Sequence, residues 1–110
     1  MRKTRQSRAA GVGTMNEKRC EDELIALGYN HTWRVRRTRF GNMDFMGLFD
    51  VVAIKNDRAE FPAMRLIQVK TNRVDKKTVD AIKAFRLPPF CFKEVWVWLS
   101  KTNEWKITHC

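Results

Sequence analysis

The order in which predicted helices and strands follow one another along this chain constrains its fold more than any other feature of the sequence. Apolar periodicity predicts a helix over Thr14 to Leu27, a second helix over Asp75 to Phe85, and five strands. The predicted strands are Thr32–Thr38, Leu48–Ile54, Met64–Thr71, Val95–Leu99 and Trp105–Thr108, and Phe40–Met46 is a predicted loop. The order α-β-β-β-α-β-β is that of an α/β domain.

The composition favours a polyanionic partner. The 110 residues suffice for one domain, and 22 Lys and Arg against 12 Asp and Glu leave a net charge of +10. A positive field over so small a surface attracts nucleic acid first and an anionic membrane second. No apolar run approaches the roughly 18 residues of a membrane helix, which disfavours a membrane protein.

The cysteine pattern does not indicate disulfides or a zinc site. Cys20, Cys91 and Cys110 are odd in number and include no Cys-x-x-Cys pair. This usage predicts free thiols in a reducing compartment, and hence a cytoplasmic protein. We expect Cys20 and Cys91 to be small buried hydrophobic side chains.

The first 13 residues are predicted to be a flexible basic arm, and residues 14–110 a single domain. The basic residues of the arm, which contains no acidic one, are Arg2, Lys3, Arg5 and Arg8. The arm either folds on a phosphate backbone or remains a solvated tail. Thr14 to Glu17 then matches a capping box, which predicts that the first helix begins there.

Glu17 has two interpretations. At 100° per residue it lies in line with Cys20 and Leu24, so it belongs to the buried face of the helix. It is then either the acidic member of the capping box or a carboxylate held within the fold for chemistry.

Two neighbouring strands contain polar residues where apolar ones are expected. Asp50 interrupts an otherwise apolar strand, and a buried carboxylate is costly unless it is paired or holds a metal ion. In the next strand, Gln68 and Lys70 share one face because side chains alternate. If these strands form a hairpin, Asp50 can lie near Gln68 and Lys70. A salt bridge from Asp50 to an arginine is the alternative.

The residue types in this group suit a divalent cation and phosphate chemistry. Mg²⁺ takes oxygen ligands and keeps several waters. The Asp50 carboxylate, the Gln68 amide oxygen and the Val69 carbonyl oxygen are candidate ligands, and Glu17 is a candidate second carboxylate. Lys70 is a candidate catalytic residue, which would orient or deprotonate a water or stabilise charge on the phosphate.

These residues resemble the motifs of a known family, the PD-(D/E)xK nuclease superfamily. The similar segments are Glu17 on the first helix, Phe49–Ala53 on the second strand and Gln68–Lys70 on the third. Within the superfamily, the chain is most similar to archaeal-type Holliday junction resolvases and their viral relatives, over roughly Thr14 to Leu99. The resemblance implies a restriction-endonuclease-like core, in which helices flank a mixed central sheet.

The resemblance also implies roles for the residues. Asp50 and Gln68 would be metal ligands, Lys70 the catalytic lysine and Glu17 the helix carboxylate. Such enzymes cut branched DNA in recombination, as homodimers with Mg²⁺ or Mn²⁺. The chain departs from the family pattern at Phe49, where proline is usual, and at Gln68, where glutamate is usual. Because Gln68 is neutral, we expect a lower affinity for divalent cations unless Glu17 restores the missing charge.

Basic residues cluster on both sides of this group. The candidate nucleic-acid-binding residues are Arg34, Arg36, Arg37, Thr38 and Arg39 in one cluster, and Arg73, Lys76 and Lys77 in the other. Either cluster alone is typical of a solvated face, but two clusters and a basic arm favour binding to a DNA backbone. Thr38 is also a candidate catalytic hydroxyl by analogy with the family, and Asp44 is either a turn residue or a further ligand.

The four tryptophans admit two interpretations. Trp33, Trp96, Trp98 and Trp105 either form a surface on which bases stack or belong to the protein interior. For Trp96 and Trp98, which share one strand face, the strand core or a contact between copies is favoured.

The sequence therefore predicts a Mg²⁺-dependent endodeoxyribonuclease that acts on branched DNA. A non-catalytic nucleic-acid-binding module on the same fold is the first alternative, and a basic RNA-binding protein is the second.

Overall fold

In a computed structural model of the protein, the described backbone covers residues 5–38, 41–43, 45, 47–55, 63–89 and 91–110. The described side chains cover residues 14–35, 45, 47–55, 63–89 and 91–110. The elements, in chain order, are α1 (Arg5–Ala26), β1 (His31–Arg34), β2 (Arg36–Thr38), β3 (Gly41–Met43), β4 (Val51–Lys55), β5 (Ala63–Thr71), α2 (Lys76–Ala84), β6 (Cys91–Leu99) and β7 (Glu104–His109).

The described part of the chain is an α/β domain built on a mixed sheet of five strands, in the order β1-β4-β5-β6-β7. Strands β5 and β6, which α2 connects, are parallel, and the other neighbours in this sheet are antiparallel. Strands β2 and β3 form a separate two-stranded sheet. Apart from that hairpin, the elements follow the predicted order α-β-β-β-α-β-β.

The two helices cover opposite faces of the five-stranded sheet. On the α1 face, Cys20 and Leu24 of the helix pack with Ile67, Val69 and other strand residues in one buried cluster. On the α2 face, Ile82 packs in a second cluster with Leu66 and its neighbours. Because side chains alternate along a strand, Ile67 and Leu66 of β5 contribute to different clusters.

The first helix begins earlier than predicted. Because α1 starts at Arg5, Thr14 and Glu17 lie inside it, and the capping box predicted at its start was wrong. The backbone of residues 5–13, predicted to be part of the flexible arm, is helical. Once a packed segment has nucleated a helix, each added turn costs little, and two glycines need not stop it. The division of the chain into an arm and a domain stays a prediction.

The predicted first strand, Thr32–Thr38, was wrong in its extent. Strand β1 ends at Arg34, and residues 36–38 pair instead with residues 41–43, within the segment predicted to be a loop. Val35 lies between β1 and β2, is buried, and donates its main-chain N–H to the Asp50 carbonyl oxygen at 2.7 Å. Farther along, β6 begins at Cys91 rather than at Val95.

Two simpler expectations concern the membrane and the cysteines. In the described ranges, no helix is both long enough and apolar enough to cross a membrane. The three cysteines are free thiols, as predicted. Cys20 is buried, whereas Cys91 is only half-buried because it lies at the first residue of β6.

Candidate functional site

Asp50 lies immediately before β4. Val51 and Ile67 are the last residue pair at this end of the β4–β5 ladder, and β5 continues beyond it. Its side chain is buried, with 6% of the residue exposed. Oδ2 of Asp50 accepts hydrogen bonds from the Gln68 side-chain amide nitrogen and from the Val69 main-chain N–H, both at 2.9 Å. The predicted pairing of these strands, which brings Asp50 near Gln68, is confirmed.

The carboxylate ends the β4–β5 ladder. In a longer antiparallel ladder, a carbonyl of the neighbouring strand would accept the Val69 N–H. Here the Asp50 side chain accepts it, while the Asp50 N–H donates to the Ile67 carbonyl oxygen at 2.8 Å. Hydrogen bonds to a charged acceptor contribute roughly 1.5–3 kcal/mol. The strands can therefore separate at this point without leaving the Val69 N–H unpaired.

The contacts within this group differ from the predicted ligand set in one respect. The prediction used the amide oxygen of Gln68 and the carbonyl oxygen of Val69, whereas the observed bonds to Asp50 come from the two nitrogens. A half-turn of the Gln68 amide would exchange its nitrogen for its oxygen. Gln68 thus holds the carboxylate in this structure, and a turn of one side chain would make it an oxygen donor.

Lys70 follows Gln68 on the α2 face of β5. Leu66 packs in the α2-side cluster. Because side chains alternate along a strand, Lys70, four residues after Leu66, lies on the same face. Lys70 lines a cleft of about 360 Å³ with Arg73, Val74 and Asp75. Hydrogen bonds from Thr78, together with the positive charge of Lys70, lower the pKa of Asp75. Lys70 therefore lies on the side of the candidate site that faces the N-terminus of α2.

Glu17 approaches from the other face. It lies within α1, is 3% exposed, and lines a cleft of about 510 Å³ with Glu21, Val35 and residues of β1. Burial raises the pKa of the Cys20 thiol, and the carboxylates of Asp50 and Glu17 are among the charges that raise it further. The structure joins Asp50, Gln68 and Val69 by hydrogen bonds, with Glu17 and Lys70 on opposite sides of them.

The predicted basic residues differ in their surroundings. Arg34 forms an ion pair with Glu21 on α1, with Nε 3.4 Å from Oε1, and Glu21 also accepts a hydrogen bond from Thr32. The exposed basic residues beside the N-terminus of α2 are Arg73, Lys76 and Lys77. The predictions for Arg39 and Asp44, and for the side chains of Arg36, Arg37 and Thr38, fall outside the described residues.

A third buried carboxylate, Glu94, was missed. It is 1% exposed and accepts a hydrogen bond from the Trp96 indole N–H at 3.1 Å. Its oxygens lie 3.3 Å from Arg65 Nη1 and 2.7 Å from His109 Nδ1. Arg65 also donates through Nε to the Tyr29 hydroxyl. Glu94 lies two residues before Trp96 and therefore on the same face of the strand, which could have indicated its burial. The predicted strand began at Val95, one residue too late to include it.

The tryptophans separate into two environments. Trp96 is fully buried, in agreement with the favoured core interpretation, and its ring meets that of Trp105 at 5.3 Å between centroids. Trp98 also contacts Trp105, and the Arg19 guanidinium lies 4.5 Å from the centre of the Trp98 ring. Trp33 is instead 48% exposed on the edge strand β1.

A divalent cation at this site would need neutral oxygen ligands in addition to the carboxylates. Within the part of the chain that the structure describes, no three His, Cys, Asp or Glu side chains come together as a ligand group. Asp50 and Glu17 supply carboxylates, and Gln68 and Val69 supply the neutral groups. A comparison with models of known protein families gave no match, and a comparison with curated proteins gave none either.

Proposed function

We propose that this protein is a metal-dependent DNA endonuclease of the PD-(D/E)xK type, with a restriction-endonuclease-like core, that cuts branched DNA as a homodimer. The observation that carries the proposal is the contact between Asp50 and Gln68 at the end of the β4–β5 ladder. Lys70, two residues farther along β5, completes the spacing that the family motif requires. The net charge of +10 supports a polyanionic substrate.

In this proposal each residue has a separate task. Asp50 and Glu17 supply negative charge for Mg²⁺ or Mn²⁺, and Gln68 and the Val69 main chain hold the Asp50 carboxylate in one orientation. A bound cation would polarise the phosphate and lower the pKa of a coordinated water. Lys70 supplies a positive charge that stabilises the negative charge developing on the phosphate.

The exposed basic residues beside α2 would hold the DNA backbone. Arg73, Lys76 and Lys77 lie next to the cleft that Lys70 lines. Contacts of this kind are independent of base sequence and weaken steeply as salt rises. Arg34 supports this role less, because its guanidinium already pairs with Glu21.

The test is cleavage of a labelled four-way junction in the presence of Mn²⁺. We expect the wild type to nick the junction, and Asp50→Asn and Lys70→Ala to lower the rate by at least about 100-fold. The matched controls, Asp80→Asn and Lys101→Ala, change exposed residues of the same charge and should cut normally. Equal cutting by all five proteins would contradict the assignment of the site.

A non-catalytic nucleic-acid-binding module is the second candidate, and one observation favours it. The amide nitrogen of Gln68, rather than its oxygen, faces Asp50, so the pair is a complete hydrogen bond without a cation. A wild-type protein that binds the junction but does not nick it with Mn²⁺ would select this candidate. Competition between RNA and branched DNA at fixed salt distinguishes an RNA-binding protein from both.

A further inference from the structure

Trp33 stands apart from the other tryptophans in position and exposure. It lies on β1, an edge strand of the sheet, and is 48% exposed. Its ring stacks on that of His31, with the centroids 6.2 Å apart and the planes 18° from parallel. The two rings are thus nearly parallel at the edge of the sheet. A large aromatic side chain in such a position is a suitable surface for stacking a planar ligand.

The sheet register places Trp33 on the same face as the candidate site. Trp33 is paired with Val52 of β4, and paired residues of neighbouring strands share a face. Asp50 lies just before β4, and its carboxylate accepts a hydrogen bond from Gln68, which shares the α2 face with Leu66. Trp33 thus lies on the strand next to β4, which Asp50 precedes, and on the face of the sheet that carries Gln68 and Lys70.

The α2 side of the sheet is unevenly covered. Helix α2 packs against β6, where Val95 and Val97 join its buried cluster. At the other side of the same face, Val52 is only half-buried and Trp33 is exposed. The surface beside Asp50 therefore includes a flat aromatic group on one side and the cationic Lys70 on the other.

We propose that Trp33 stacks on an unpaired nucleobase of the DNA strand whose phosphate lies between Asp50 and Lys70. The inference rests on the proposed function, because it assumes that nucleic acid binds at this face. Gapped and flapped DNA contains unpaired bases, whereas a continuous duplex does not. Stacking on an aromatic side chain is independent of base identity, so Trp33 selects for DNA shape rather than sequence.

The experiment measures DNA binding in EDTA, where no cleavage occurs, for a gapped duplex and for a continuous duplex of the same length. We expect Trp33→Ala to bind the gapped DNA roughly 5- to 100-fold more weakly, the loss expected for one stacked base. Binding to the continuous duplex should change less than about twofold, and Trp33→Phe should retain most of the affinity. Ile107→Ala, which removes an exposed apolar side chain from the opposite edge strand, is the matched control.

Each other outcome has a defined meaning. If Trp33→Ala binds gapped DNA as tightly as the wild type, or loses the same affinity for both DNAs, the stacking role is overturned. A change in oligomeric state, measured by sedimentation, also overturns it, because Trp33 would then belong to a contact between copies. Trp33-dependent binding without nicking of a junction in Mn²⁺ supports the inference and contradicts the endonuclease. If the wild type nicks the junction and Trp33→Ala binds gapped DNA normally, the endonuclease is supported and the stacking role is contradicted. A wild-type protein that binds no DNA overturns both.

Discussion

Two of the buried carboxylates in the described part of the chain, Asp50 and Glu94, are held in different ways. Glu94 lies inside β6 and contacts a guanidinium and an imidazole from the neighbouring strands. Oδ2 of Asp50 lies where two strands separate, and its donors are a side-chain amide and a main-chain N–H. The guanidinium next to Glu94 brings a positive charge, whereas the two donors to Oδ2 of Asp50 bring none.

The difference separates a structural role from a functional one. A buried carboxylate that accepts from a guanidinium and an indole is part of the fold, and its removal leaves both donors without that acceptor. The two neutral donors to Asp50 instead fix the orientation of Oδ2 at the end of the ladder. The predictions below test this contrast, from the largest expected effect to the smallest.

Removal of Glu94 should have the largest effect on stability. Glu94→Ala removes the carboxylate that accepts from Arg65 and from the Trp96 indole N–H, and each donor that loses its acceptor costs about 1–3 kcal/mol. The free energy of unfolding from urea titrations gives this value. Glu104→Ala changes an exposed glutamate on β7 and should cost less than about 0.5 kcal/mol. Equal effects of the two substitutions would show that the Glu94 network is not structural.

Gln68→Glu should destabilise the metal-free protein by about 1–3 kcal/mol, because it removes a hydrogen-bond donor to Asp50 and adds a like charge. Addition of Mn²⁺ should restore the melting temperature. The control is the double variant Asp50→Asn with Gln68→Glu, which again pairs one amide with one carboxylate. If the double variant is no more stable than Gln68→Glu, residues 50 and 68 do not interact as described.

Asp50→Asn should cost less stability than Asp50→Ala, because the asparagine carbonyl oxygen can accept the same two hydrogen bonds. Asp50→Ala leaves the Val69 N–H without that acceptor and should cost about 1–3 kcal/mol. Urea titrations of both variants measure the difference. A large loss of stability in Asp50→Asn would indicate that the negative charge itself holds the fold together.

The smallest predicted effect is on the titration of Asp75. Hydrogen bonds from Thr78 and the charge of Lys70 lower the pKa of this carboxyl. Because the pKa is lowered in the folded protein, its contribution to stability is present at neutral pH and is lost as the pH falls through the lowered pKa. We expect Lys70→Ala to raise the pKa of Asp75 more than Lys77→Ala does, measured by NMR titration. An unchanged value in Lys70→Ala would contradict the position of Lys70 beside α2.

The sequence predicted the elements whose patterns are long and regular. The alternation of Ile67, Gln68, Val69 and Lys70 identified β5. The group at Asp50 was found although the predicted strand Leu48–Ile54 began three residues too early, since β4 starts at Val51 and Asp50 precedes it. By contrast, β2 and β3 have three residues each, too few for periodicity to appear, and Gly41 and Asn42 are typical of a turn. The early start of α1 was missed because two glycines precede Thr14.

The finer features of the site depend on contacts that residue types do not specify. The amide of Gln68 presents either its nitrogen or its oxygen with the same shape, so only the neighbouring Asp50 determines which is turned inward. Glu94 could be recognised as buried only after β6 had been extended to include it. The position of Trp33 on the Asp50 face requires the register of β1 with β4, which strand prediction alone does not provide.

The most direct test of the central claim is a titration of the metal-free protein with Mn²⁺, in which electron paramagnetic resonance measures the free ion. The account predicts a saturable site in the wild type that is lost in Asp50→Asn and binds at least about tenfold more tightly in Gln68→Glu, because a second carboxylate then faces the first. Identical binding curves for wild type and Asp50→Asn would contradict the account, since the cation would then be held elsewhere or not at all.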